Sequence, residues 1–338
     1  MDQRKIMSLG RSSLVISLPK HWTKLNELKQ GDVVSLAIQR DRSLAIFPGT
    51  DNKKHAKEIT LHIDQSEKSK TIKRNIIACY LNGYSSIKLF SNDIFPVFQQ
   101  KAIRNIVRIL YMRIMECDAK SMHIVTLMDE TQASVTSGIQ RMHTISNSLF
   151  QDVLSSLETQ DPMLAKTALQ LEDDVDHFSY FMLRLLRRAA LDPAFANQLD
   201  IAVSDCLDYQ TLVYRIEQIA DKASNIAKHI VLLRDRQLKI SDPLIKLMLN
   251  AGKNAHEIYN QAVQAFFSNS ARNAEEIIER GKVVEKSDQE IATWAFLHEK
   301  KNPVIICATC SIRESIKNVA EYGREIALYT IHRSFNPK

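Results

Sequence analysis

The amino-acid sequence predicts a mainly α-helical protein, with two tandem three-helix bundles preceded by a small β domain and a small α/β unit. The chain of 338 residues holds only 8 glycines and 8 prolines, which favours long helices over turn-rich β structure. From Val135 onward, apolar residues recur at three- and four-residue spacing, as in bundle helices. Short strand-like runs are confined to the preceding part of the chain.

The first predicted domain comprises residues 1–50. It contains three strand-like runs, SSLVISL, DVVSLAIQ and SLAIFP, and one or two helical turns opened by Pro19. It also holds 8 Lys and Arg against 4 Asp and Glu, which supplies +4 of the net charge of +6. A basic end on a nearly neutral body favours an anionic partner, although such an excess is also ordinary for a solvated surface.

Residues 55–130 are predicted to form a small α/β connector. The run EITLHID, an amphipathic segment through Tyr80, the run SIKLF, one long helical run from Phe95 to Met115 and the run MHIVTL follow one another. Neither motifs nor charges in this region indicate chemistry. We assign the connector no site.

Two bundles are predicted at 131–235 and 240–335. Three Asp-Pro pairs and one Asn-Pro pair divide this region into about six helices. The segments ETQDPMLA and FSNSARNA occupy matching places before the middle helix of each bundle. We therefore predict that the second bundle repeats the first.

Two carboxylate pairs lie in the first bundle, Glu172 with Asp176 and Glu217 with Asp221. Spacing of four residues places both members of a pair on one helix face, and each residue follows an apolar one, at the edge of the buried seam. Four converging carboxylates repel one another unless a cation compensates, and oxygen ligands suit hard metals. The alternative is that these pairs are ordinary solvated faces, with lysines such as Lys228 as loose partners.

The first bundle resembles the PhoU family of phosphate-signalling proteins. The segments that carry the resemblance are YRIEQIADKASNIAKHI, 214–230, and LEDDVDHF, 171–178. The resemblance covers about 200 residues and implies multinuclear metal clusters, with iron preferred and Mn, Mg or Zn as alternatives. It also implies contact with the phosphate ABC transporter or its ATPase. Carried onto this chain, the implied metal ligands are Glu172, Asp176, Glu217 and Asp221.

The second bundle departs from this pattern. Glu285 and Glu321 match the family's ligands, whereas Gln289 and Lys317 stand where carboxylates are expected. A lysine brings positive charge to the place where a cation would bind. We expect no second complete cluster.

Residues 4–48 resemble the AbrB/MazE/SpoVT swapped-hairpin DNA-binding domain in the VISLPK junction, the LKQGD turn and the LAIFP strand. The resemblance implies a dimer with interleaved hairpins, because so short a chain cannot bury an adequate core alone. We therefore expect the protein to be a homodimer or a higher homo-oligomer. Lys5, Arg11 and Lys20 would then form a basic patch for DNA phosphates. The alternative is a plain dimerisation module with solubility charges.

The sequence also argues against several classes of protein. It shows no Walker loop, nucleophile elbow, dinucleotide fingerprint or di-iron E-x-x-H signature, so we predict no enzyme. The lone Cys307-x-x-Cys310 pair and His177 are interpreted as packing and as hydrogen-bonded structure rather than as metal ligands. The absence of a signal peptide or apolar span predicts a cytoplasmic protein without membrane insertion.

These observations predict a transcriptional regulator of phosphate uptake that couples a metal-binding helical sensor to a dimeric DNA-binding domain. The alternative is a metal-dependent adaptor that regulates the phosphate transporter by contact and dimerises through its N-terminal domain.

Overall fold

The computed structural model describes residues 3–10, 12–38, 42–49, 57–299 and 302–335. They belong to two compact units, Met1–Ala56 and Lys57–Lys338. The second unit is mostly helical, which confirms the predicted fold class. The finer division into 55–130, 131–235 and 240–335 stays a prediction.

The N-terminal unit consists of two short antiparallel hairpins and one short helix. Gly10, with φ of 70°, forms the turn between the first two strands, a backbone conformation that favours glycine. Between residues 3 and 49, no side chain that the structure describes is buried. Its elements are β1 Met7–Leu9, β2 Ser13–Val15, α1 Lys20–Leu25, β3 Val34–Ile38 and β4 Leu44–Pro48.

An α/β unit follows, with a four-stranded sheet in the order β5-β6-β8-β7. Strand β5 runs parallel to β6, and β8 runs antiparallel to both β6 and β7. Apolar residues of the sheet and of two helices form one core. Its elements are β5 Glu58–His62, α2 Ser69–Leu81, β6 Ser86–Phe90, α3 Val97–Ile109, β7 Met112–Cys117 and β8 Ser121–Thr126.

The predicted single helical run from Phe95 to Met115 is wrong. Helix α3 ends at Ile109, Tyr111 takes a left-handed backbone conformation with φ of 51°, and strand β7 begins at Met112. The residues of this strand, MRIMEC, have no strand-like alternation strong enough to interrupt the preceding helical pattern. The sheet therefore contains one strand more than the sequence predicts.

After a short 3-10 helix at Glu130–Gln132, nine α-helices make up most of the remaining described chain. Six are long, as predicted, and three are short. They are α4 Val135–Thr159, α5 Pro162–Ala168, α6 Gln170–Leu191, α7 Pro193–Gln198, α8 Asp205–Asp235, α9 Asp242–Ser268, α10 Ala271–Arg280, α11 Lys282–His298 and α12 Pro303–Ser334.

The predicted repeat is visible where the first long helix of each half ends. Helix α4 is followed by Gln160 and helix α9 by Asn269, and both of these capping residues take the left-handed conformation. The next residue in each case, Asp161 or Ser270, caps a short helix by accepting a hydrogen bond from a backbone N–H. The two polar connections therefore perform the same turn in both halves.

The two halves share one continuous hydrophobic core. Across it, His143 and Asn147 of α4 face His256 and Asn260 of α9. The His143 Nε2 atom lies 2.9 Å from Asn260 Oδ1, and His256 Nε2 lies 2.5 Å from Asn147 Oδ1. Each half thus contributes a His and an Asn four residues apart, and the His of each half hydrogen-bonds to the Asn of the other half.

A buried ion cluster attaches the α/β unit to helix α6. The side chain of Arg184 is 4% exposed and donates through Nε to Glu130 at 2.5 Å, and through Nη1 to the carbonyl oxygens of Tyr80 and Tyr84 at 2.5 and 2.9 Å. Arg188 donates to the other oxygen of Glu130 at 2.6 Å. Helix α6 is therefore fixed to the C-terminal end of helix α2.

Within the described chain, none of the helices combines the length and apolar character that a bilayer crossing requires.

Candidate metal centre

The structure brings the four predicted carboxylates together. Glu172 and Asp176 lie in the first two turns of α6, and Glu217 and Asp221 lie in the middle of α8. The two helices pack against each other through apolar residues that precede these carboxylates in sequence, including Val175 and Ile216, both fully buried. Burial of one apolar seam therefore places both carboxylate pairs at its edge.

Burial and then mutual repulsion raise the pKa values of two of these groups. Burial, followed by the nearby charges of Asp221, Glu172 and Asp173, raises the pKa of Asp176 to about 7. Burial, followed by Asp221, Asp176 and Glu172, raises the pKa of Glu217 to about 7. Partial removal from water and like charge both disfavour the ionised form.

Glu172 has the nearest positive charge. Its Oε1 atom lies 3.6 Å from Nζ of Lys228, which is one turn of helix beyond Ser224 on α8. Burial nevertheless raises the pKa of Glu172, and the attraction of Lys228 opposes this increase. Ser224, a fully buried residue, lies beside this group. The centre therefore contains a buried hydroxyl as well as excess negative charge.

This arrangement suits a positive ligand. The donors are carboxylate oxygens, which hard cations prefer, and Asp221 is exposed while the other three are half-buried, so an ion has access from solvent. In the part of the chain that the structure describes, no three His, Cys, Asp or Glu side chains are already arranged to hold a metal ion. Binding would therefore require side-chain movement toward the ion.

Tyr180 extends the same face of α6. It lies four residues after Asp176, and burial followed by the charges of Asp176, Glu217 and Asp221 raises its pKa to about 12. Its ring also packs against the core of the α/β unit. Tyr180 is not among the residues that the sequence predicts for the centre, although its spacing of four from Asp176 places it on the same helix face.

His177 faces away from the carboxylate cluster. Its ring packs on Tyr111 at a centroid distance of 4.9 Å, its Nδ1 atom lies 3.9 Å from Asp174 Oδ1, and its Nε2 atom is buried without a hydrogen-bond partner. Beside it, Arg108 of α3 donates to Asp173 at 2.9 Å. The start of α6 thus touches the α/β unit on one side and carries the carboxylates on the other.

The equivalent face of the second bundle supplies its own positive charges. Arg324 donates to Glu285 at 2.8 Å, and Lys317 lies 3.6 Å from Glu321. Gln289 is exposed and neutral. Each matching carboxylate is therefore already paired with a basic side chain, whereas in the described chain only Glu172 of the four first-bundle carboxylates has such a partner.

The proposed DNA-contacting residues are only partly described. Lys5 and Lys20 are exposed, and Lys20 begins helix α1 directly after Pro19. Arg11 lies outside the described residues. The structure therefore places two of the three side chains in solvent.

The interpretation of Cys307 and Cys310 as packing residues is wrong. Both lie on helix α12, and both thiols are exposed. Their spacing places them on the outer side of a helix whose opposite side is buried.

Comparison with known proteins identifies the fold of the helical region. Residues 139–230 match the family model of the PhoU domain. The structure is similar to that of PhoU from Pseudomonas aeruginosa, with 17% sequence identity, a TM-score of 0.52 and coverage of 59% of this chain and 94% of that chain.

A second similar structure is the phosphate transport system regulatory protein PhoU from Streptococcus pneumoniae. It is 14% identical, with a TM-score of 0.50, and the match covers 60% of this chain and 94% of that one. None of the curated proteins compared with the chain matches it. The helical part of this protein therefore has the fold of PhoU proteins, and all four clustered carboxylates lie within the matched domain.

Proposed function

We propose that this protein is a non-enzymatic regulator of phosphate uptake, in which a metal-binding PhoU-like helical module is joined to a dimeric DNA-binding unit. The observation that carries the proposal is the carboxylate cluster within the PhoU-like region, where burial and then like charges raise the pKa values of Asp176 and Glu217. One of the similar proteins is named as a phosphate transport system regulatory protein. By analogy, a phosphate transporter ATPase is a proposed partner.

The proposed metal ligands are Glu172, Asp176, Glu217 and Asp221. A bound cation, with iron preferred and Mn, Mg or Zn as alternatives, would supply positive charge that a single lysine does not. The donor set and the solvent access fit such an ion. We propose no complete second cluster, since Arg324 and Lys317 already neutralise Glu285 and Glu321.

DNA binding is assigned to the N-terminal unit, through Lys5, Arg11 and Lys20. Support comes from its two hairpins and short helix, which agree with the strand runs of the AbrB-like segment. Because none of the side chains that the structure describes there is buried, its apolar side chains need a partner surface. A homodimer would cover them and double the basic patch.

Binding of full-length protein to genomic DNA fragments at two salt concentrations tests this assignment. Replacing Lys5 and Lys20 by alanine removes proposed phosphate contacts, so affinity and its dependence on salt are both expected to fall. The matched control is alanine at Lys246 and Lys253, two exposed lysines of α9. Unchanged binding by the N-terminal variant would contradict the assignment.

The adaptor is the second candidate function. The exposure of the described N-terminal side chains would also follow if that unit served dimerisation alone. In that case no DNA fragment binds at either salt concentration, while removal of the metal by a chelator still lowers the melting temperature of the protein.

A further inference from the structure

The α/β unit carries a strongly basic face. Helices α2 and α3 together hold six basic residues and no acidic residue. Both helices connect parallel strands of the sheet, and right-handed crossovers in one direction place them side by side on the same sheet face. The six basic residues are Lys70, Lys73, Arg74, Lys101, Arg104 and Arg108.

Most of these charges lack a carboxylate partner. Arg108 is paired with Asp173, and Arg104 reaches only the Cys117 sulfur at 3.7 Å. Over the described ranges, no ion pair forms with any of the other four basic residues of the two helices. Five positive charges are therefore uncompensated on one layer of the molecule.

Large apolar side chains adjoin these charges where α3 begins. Ile94 is 61% exposed, Val97 is 77% exposed and Phe98 is 49% exposed. Val97 and Lys101 are four residues apart and share one stripe of α3. Because α2 and α3 begin at the same edge of the sheet, the apolar group also lies at the end that carries Lys70.

We propose that this α2/α3 face, made of the six basic residues together with Ile94, Val97 and Phe98, docks on an anionic lipid surface. The basic side chains would contact headgroups while Val97 and Phe98 enter the boundary between headgroups and acyl chains. A nucleic acid backbone complements the positive charges but has no apolar surface that could bury Ile94, Val97 and Phe98. The lipid surface complements both, and it requires no membrane-spanning helix.

Co-sedimentation of the full-length protein with vesicles tests the proposal. The protein is expected to bind vesicles of phosphatidylcholine mixed equally with phosphatidylglycerol and to leave phosphatidylcholine vesicles unbound. Glutamine at Lys70, Arg74, Lys101 and Arg104 is expected to weaken binding by about a hundredfold or more, since each basic side chain near an anionic surface contributes about fivefold. Serine at Val97 and Phe98 should remove the binding that survives high salt, because salt screens charge and not apolar burial.

A control with the same change of charge separates this face from net charge. Glutamine at four exposed residues of the bundles should leave vesicle binding intact, and these are Lys166, Arg236, Lys246 and Lys253. Equal loss in the control, or wild-type binding by the α2/α3 variant, overturns the proposal. Loss of duplex DNA binding by the α2/α3 variant with unchanged vesicle binding also overturns it, because the face would then bind nucleic acid.

Discussion

The ammonium group of Lys228 lies 3.6 Å from the carboxylate of Glu172, and it is the one cation paired with the cluster in the described chain. No ion pair with a basic side chain forms there at Asp176, Glu217 or Asp221. Four carboxylates thus share one positive charge. The raised pKa values of Asp176 and Glu217 follow from burial and this imbalance.

Chelation is expected to lower the melting temperature of protein purified without chelators. A cation that binds the folded state alone stabilises it by mass action, by about 2.7 kcal/mol when its free concentration is a hundred times its dissociation constant. Removing the ion leaves the carboxylates uncompensated. Differential scanning calorimetry with and without chelator, together with elemental analysis, measures the effect.

Two variants test whether the four carboxylates cause the fall in melting temperature on chelation. Asp221→Asn removes a charged ligand on α8 and should abolish the chelator effect, whereas Glu321→Gln, at a carboxylate that Lys317 already neutralises, should preserve it. If no metal is found and the wild-type protein melts identically in both conditions, the carboxylates are a solvated face and the fold is present without the site.

The metal-free protein should become more stable as pH falls from about 7 toward 4. The folded pKa values of Asp176 and Glu217 are raised to about 7, so between the unfolded and folded values the native state binds more protons than the unfolded state. Stability is therefore lost as pH rises through this window. After allowance for solvent screening we expect about 1–3 kcal/mol, measured by urea unfolding in chelator.

Asp176→Asn combined with Glu217→Gln should flatten this pH dependence, because neither replacement titrates. Saturating metal should flatten it as well, since a bound cation favours the ionised carboxylates. A profile of the double variant that parallels the wild type would show that other groups cause the dependence.

The helical region could be predicted from the sequence because its signals are local. Spacing of three and four residues marks the long helices, and Asp161 and Ser270 cap short helices in the predicted repeat. The four carboxylates could be assigned to one face for the same reason. Their positions follow from helix periodicity and from the apolar residues that precede them.

The remaining features depend on contacts between distant segments. Arg184 lies two turns beyond Asp176 on an otherwise ordinary helix, and nothing local indicates that it pairs with Glu130. Strand β7 is formed because β8 offers it hydrogen bonds, which a single-strand pattern does not reveal. The basic face of α2 and α3 was missed because neither helix is unusual until the sheet places them side by side.

Arg184→Met should destabilise the protein by about 3 kcal/mol. The change leaves Glu130 with Arg188 alone and leaves the buried carbonyl groups of Tyr80 and Tyr84 without their donor, and breaking a buried ion pair from one side is costly. Urea unfolding measures the loss, and hydrogen exchange should rise in 57–126. The matched control is Arg187→Met, since Arg187 is exposed and reaches only Asn82 at 3.2 Å; equal destabilisation by both variants would contradict the role of the buried cluster.

Gly323→Ala should destabilise the packing of α12 on α9 by about 1 kcal/mol. A Cβ atom at this position would lie 2.9 Å from Ile258 Cγ2 and 3.2 Å from the backbone of Tyr259, so overpacking outweighs the gain in helix propensity. In Gly252→Ala the new atom meets only the end of the Leu154 side chain, which can rotate away. Thermal melts compare the melting temperatures of both variants with that of the wild type. A higher melting temperature for Gly323→Ala would show that α9 and α12 can move apart without loss of stability.

A fragment of residues 1–50 should be dimeric or unfolded, and never a folded monomer. Leu14, Leu36 and Ile38 are each at least 60% exposed, and between residues 3 and 49 no side chain that the structure describes is buried. A chain of this length gains too little from burying its own apolar surface to offset the loss of conformational entropy. Sedimentation equilibrium and circular dichroism of the fragment measure its mass and its folding.

Leu14→Ser and Lys20→Ala separate dimerisation from DNA contact in this fragment. Serine at Leu14 removes apolar surface that a second copy would cover, so it should shift the fragment toward unfolded monomer. Alanine at the exposed Lys20 should leave the dimer intact, because substitutions at exposed positions change stability little. A compact monomer with native-like circular dichroism would show that the two hairpins fold without a partner, and the swapped-hairpin assignment would then be wrong.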